Sequence, residues 1–74
     1  MNGLPVITPR QLIRALERAG FFVHHVRGSH HYLHHPDNVV LISVPYHNKD
    51  LKRGTLQAIL RQAGLTADEL RQLL

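Results

Sequence analysis

The chain has 74 residues, about half of the ~150 typical of one domain, so a single domain over residues 1–74 is expected. A chain of this size buries only about 60% of its unfolded surface, which argues against a deep, enclosed active site. Its 43% hydrophobic and 19% charged residues suit a globular domain, and nine Lys and Arg against five Asp and Glu leave +4, which favours a polyanionic partner.

The first element is written at Ile7-Thr8-Pro9-Arg10-Gln11-Leu12. Thr8 suits a helix cap, Pro9 the first turn, Gln11 the far side of a capping box, and Ile7 with Leu12 a hydrophobic staple. Leu12, Ile13, Leu16 and Ala19 then share a face before Gly20 supplies a left-handed stop, which predicts a helix over 9–19. The middle of the chain reads as strands at 21–27, 30–35 and 39–44, separated by turns at Gly28-Ser29 and Pro36-Asp37-Asn38. Leu56, Ile59, Leu60 and Ala63, ending at Gly64, predict a helix over about 53–63. Thr66 and Glu69 repeat the capping box, with Leu65 against Leu70, and start a short C-terminal helix.

Short connections favour an antiparallel meander, giving an α+β chain of order α-β-β-β-α plus a terminal helix. The helices are expected on one face of the sheet and the other face open. If Leu33 faces the helices, His31 and His35 share its side, while His30, Tyr32 and His34 point outward. Ile42 and Val44 then point in and Ser43 out.

Seven histidines, six of them between positions 24 and 35, call for an explanation. Zinc needs three or four ligands at about 2.1 Å, whereas consecutive strand residues diverge. His30 and His34 share a face but stand roughly 13 Å apart along a strand. Only cross-strand pairs such as His24 with His30 remain, no HExxH pattern accompanies them, and the absence of cysteine excludes a thiolate site, so no metal is expected.

Proton transfer suits the pattern better. Gly28 allows backbone to approach a ligand, Ser29 offers a hydroxyl and an amide to a phosphate, and His30 opens the next strand. Imidazole both takes and returns a proton near neutral pH, which is what attack of a ribose 2′-hydroxyl on its own phosphodiester requires. Lys49, Lys52 and Arg53 cluster where the second helix begins, and its amides and dipole also favour phosphate. Arg10, Arg14 and Arg18 recur along the first helix, a stripe more plainly read as a solubilising face.

In this order, the stretch Thr8 to Phe21, Gly28-Ser29-His30-His31, His35-Pro36-Asp37, Val44-Pro45-Tyr46-His47 and Leu51 to Leu65 resembles the HicA (YcfA-like) toxin family over nearly the whole chain. The resemblance implies a double-stranded-RNA-binding-domain-like fold, metal-independent endoribonuclease activity on messenger RNA, and neutralisation by a HicB antitoxin. It matches the family's catalytic histidine to His30. The chain departs from the family pattern after Asp37, where Asn38 and two valines replace glycine and basic residues. His35, His47 and water are all open as the acid that protonates the leaving oxygen.

The expected function is therefore an RNA-cleaving toxin with His30 as general base, Gly28 and Ser29 shaping a phosphate pocket, and Lys49, Lys52 and Arg53 positioning the backbone. The alternative is a non-catalytic RNA-binding module of the same fold. The longest apolar run, Val39 to Ile42, is far too short to span a membrane, and no basic-then-apolar leader opens the chain, so a cytoplasmic location is expected.

Overall fold

Thr8 starts the first helix as its spacing predicts. Its side chain accepts from the Gln11 amide while Gln11 Oε1 accepts from the Thr8 amide, closing the capping box. In the computed structural model, which describes residues 3–74 apart from the side chain of Asn38, helix α1 spans Pro9–Arg18. It stops one residue before the expected end. The Gly20 amide donates to the Glu17 carbonyl and the Phe21 amide to the Leu16 carbonyl, the paired bonds of a Schellman stop.

That stop also decides the fate of Phe21. Instead of opening a strand, it is the apolar residue just past the helix end, buried in the core. Strand β1 therefore runs Phe22–Arg27, followed by β2 (His30–His35) and β3 (Asn38–Pro45) in an antiparallel sheet of order β1-β2-β3. Asn38 pairs with His35 in the ladder, so the second turn is the two residues Pro36 and Asp37 and not three. Helix α2 (Arg53–Ala63) ends in a second Schellman stop at Gly64, and α3 (Ala67–Leu73) starts on the Thr66–Glu69 capping box.

The helices lie against one face of the sheet, the layout of a double-stranded-RNA-binding-domain-like α+β fold. Leu33 from β2 and Ile42 and Val44 from β3 are fully buried together with Leu12 and Leu16 of α1, Leu56 of α2 and Leu70 of α3. The inward assignment of Leu33, Ile42 and Val44 is thus correct. Arg18 reaches across from α1, donating from Nη1 to the Leu73 carbonyl at 2.6 Å, and so holds α3 instead of extending a basic stripe. Arg71 clamps the same helix through Asp68 and the Gly3 carbonyl.

Two irregularities shape the sheet. Between the Val23–Leu33 and His25–Tyr32 pairs, β1 carries one extra residue, His24, which makes a bulge. Between the Leu33–Ile42 and His35–Asn38 pairs, β3 carries Val39, Val40 and Leu41 opposite His34 alone. β1 has no buried residue at all, and its Val23 and Val26 stay exposed although they pair with the inward-facing Leu33 and His31. The helical layer covers β2 and β3 and leaves β1 overhanging.

Candidate active site

The site begins with a tight turn. Arg27 pairs with His30 across the two-residue loop Gly28-Ser29, where Gly28 has φ +58° and Ser29 does not have a positive φ, the pattern of a type II′ hairpin turn. A side chain at the first central position would be strained, so glycine there fixes how the two strands meet. The turn places His30 at the head of β2, exposed, with Arg27 opposite it on β1 and Pro45 opposite it on β3. Directly opposed residues point to the same face, so the Arg27 guanidinium and the His30 imidazole share the open side of the sheet. Tyr32, two residues along, has its ring centroid 6.4 Å from that of His30.

The loop after β3 is fastened to this turn. The Tyr46 amide donates to the Ser29 carbonyl at 2.7 Å, and the Tyr46 ring stacks on His31 at 4.1 Å between centroids. His31 is thereby committed to packing, with its Nδ1 buried and without a hydrogen-bond partner. Beyond Tyr46, the Lys49 amide donates to His47 Nδ1 at 3.1 Å, so His47 shapes the loop through one ring nitrogen. Leu51 then docks in the core, its amide donating to the Ile7 carbonyl, and the chain enters α2.

Lys49, Lys52 and Arg53 are all exposed on this segment. Lys52 is the N-cap of α2 and makes no side-chain cap hydrogen bond, so the first amides of that helix keep their capacity for another acceptor. Among the described residues the one ion pair is Arg71 with Asp68, and no carboxylate neutralises these three cations or Arg27. Gly28, Ser29 and His30 form one unit and the three cations another. The Tyr46–Ser29 bond ties the two units together, and no bond joins a cation to the His30 ring among the described residues.

The structure sorts the other histidines. His35 lies five residues from His30, roughly 16 Å along the strand, and turns to the helix side. Its Nδ1 accepts from the Asp37 amide at 3.0 Å and its ring meets Phe21 edge-on at 4.9 Å, which removes it as an acid for chemistry at His30. The suggested pairing of His24 with His30 is also wrong, because Arg27 stands opposite His30 and His24 lies beside His34. Divergence of consecutive residues fails at the same place. The bulge brings His24 and His25 together, with their Nδ1 atoms 2.8 Å apart, so one ring donates and the other accepts. Among the described residues, no group of three or more His, Cys, Asp or Glu is placed to hold a metal ion.

A family model described as HicA toxin of bacterial toxin-antitoxin matches residues 9–65, most of the chain and every element from α1 to α2. The chain belongs to the HicA toxin family. Among curated proteins, none matches it. The matched span takes in the Gly28-Ser29-His30 turn, the Tyr46 fastening and the start of α2, whereas α3 lies beyond it. Family membership makes this a toxin that pairs with an antitoxin. No helix of the described residues is long and apolar enough to cross a membrane.

Proposed function

We propose that this HicA-family toxin is a metal-independent endoribonuclease acting on messenger RNA, with His30 as its general base. The observation that carries the reading is the exposed His30 ring at the head of β2, beside the Gly28-Ser29 turn and with Arg27 across from it on the same face. In the proposed reaction an imidazole nitrogen of His30 takes the proton of a ribose 2′-hydroxyl, and the oxygen attacks the adjacent phosphorus. The bond from phosphorus to the 5′-oxygen breaks, solvent protonates that oxygen, and the products end in a 2′,3′-cyclic phosphate and a 5′-hydroxyl.

Negative charge builds on the phosphoryl oxygens as the new bond forms, so donors already in place lower the barrier. Arg27 and the Ser29 amide and hydroxyl fill that role here. Lys49, Lys52 and Arg53 hold the flanking phosphates, helped by the α2 amides that Lys52 leaves uncapped. The partner we infer is a HicB-like antitoxin.

The test is incubation of the purified chain with end-labelled RNA in the presence of EDTA. Cleavage with cyclic phosphate ends is expected, and His30→Ala should slow it by about 10²- to 10⁴-fold. An exposed strand residue contributes little packing, so the variant should melt as the parent does. RNA binding without cleavage would mean a non-catalytic RNA-binding module, and wild-type rates in His30→Ala would remove His30 from the chemistry.

A further inference from the structure

The open face carries more ring surface than proton transfer needs. Phe22 meets His34 edge-on at 5.8 Å between centroids, His34 meets His24 at 6.2 Å, and His24 meets His25 at 5.0 Å. His25 stacks on Tyr32 at 4.5 Å with only 8° between the planes, and Tyr32 leads to His30 at 6.4 Å. Six rings thus form one connected row over β1 and β2 that ends at the proposed base. The bulge makes the row continuous, because strict alternation would send either His24 or His25 to the helix side.

Packing does not account for these rings. The core on the opposite face is complete without them, no helix covers them, and Phe22, His24, His25 and His30 are exposed. The face also lacks negative charge. None of the three strands contains Asp or Glu, and Arg27 lies beside the row's end. Flat π surfaces without carboxylates, beside a cation, match the chemistry of a nucleic acid with its bases unpaired. A duplex hides its base faces and could not use such a row.

We propose that the bases of single-stranded RNA stack on this imidazole and tyrosine row and so carry the chain to His30. The inference rests on the endoribonuclease reading for the identity of the polymer, and adds that the substrate is single-stranded and held by its bases as well as its phosphates.

A 2′-O-methyl oligonucleotide with 2-aminopurine at successive positions, which lacks the attacking hydroxyl, tests binding without cleavage. Stacking should quench the fluorophore on binding to the whole chain. Tyr32→Ala and His25→Ala should each lose about 5- to 150-fold in affinity, Tyr32→Phe should stay near the parent, and a base-free oligonucleotide of equal length should bind all of them alike. If Tyr32→Ala does not fold, the exposed His25→Ala and Phe22→Ala carry the test. Unchanged affinity in the ring variants, equal losses for base-bearing and base-free chains, or a preference for duplex would each overturn the proposal. So would variants that lose only the antitoxin, since the row would then be a protein interface. Ring variants that bind as the parent, while cleavage still needs His30, would leave the endoribonuclease reading standing. Stacking and ring-dependent affinity without any cleavage would support the row and sink that reading, and no RNA binding at all would sink both.

Discussion

Gly20 has φ +101°, and a Cβ built there would stand 2.7 Å from Nε2 of His35. That ring has little freedom to retreat, since the Asp37 amide binds its other nitrogen and Phe21 packs against it. Gly64 has φ +73° with nothing near its missing Cβ, so it serves as the strain-only control. Gly64→Ala should cost about 1–2 kcal/mol, the ordinary penalty for an L side chain in the left-handed region. Gly20→Ala should cost more than that, because the β2–β3 turn must also shift. At about 4–8 °C per kcal/mol for a domain of this size, thermal melting resolves the difference. Equal losses at the two sites would show that His35 yields freely. The same contacts explain why His35 offered itself as a catalytic candidate in the sequence and is none: its partners come from elements brought together only by folding.

At the scale of elements, both capping boxes were legible because each depends on residues three apart, and so were the glycine stops of α1 and α2. Thr66→Ala removes one box and should destabilise the protein by about 1 kcal/mol. The loss should show as a lower denaturation midpoint, with the helical signal of α1 and α2 kept below the transition. No change in midpoint would mean that Leu70 and the Arg18 and Arg71 clamps hold α3 unaided. The bulge at His24 was illegible for the opposite reason. Alternation along Phe22 to Arg27 is a property of one strand, whereas a bulge is a mismatch between two. The catalytic candidate was therefore readable from the local Gly28-Ser29-His30 turn, while the ring row, which needs the register of β1 on β2, was not.

For the whole molecule, the Cα radius of gyration of 11.3 Å equals the value of about 11.3 Å expected of a folded chain this long. Its smallest extent is 17 Å, which accommodates the sheet and one helical layer and leaves the second sheet face open. Among the described residues His30 is exposed, with no element closing over it, which leaves its face open to a partner. We expect the antitoxin to cover the His30 face, and diethyl pyrocarbonate labelling read at His30 should fall when the partner is bound. Full labelling together with full inhibition would place the antitoxin's action elsewhere. RNA affinity should also follow salt. Lys52→Ala and Arg53→Ala should each lower the logarithmic salt slope by about 0.7 for a single strand, and an unchanged slope would move the phosphates off α2.

β1 contributes nothing to the core, so ladder bonds to β2 and its exposed rings are its principal hold on the fold. Strands with so little buried surface open locally, at a free energy well below that of global unfolding. Amide hydrogen exchange should therefore divide the sheet, with β1 exchanging early and the inner amides of β2 surviving until the whole domain opens. Because Gly28 and Ser29 join β1 to β2, each such excursion pulls Arg27 away from His30 and interrupts the site. On the endoribonuclease reading, a bound strand of RNA that bridged the rings of β1 and β2 would suppress the excursions, so that the RNA itself would splint the site proposed to cut it.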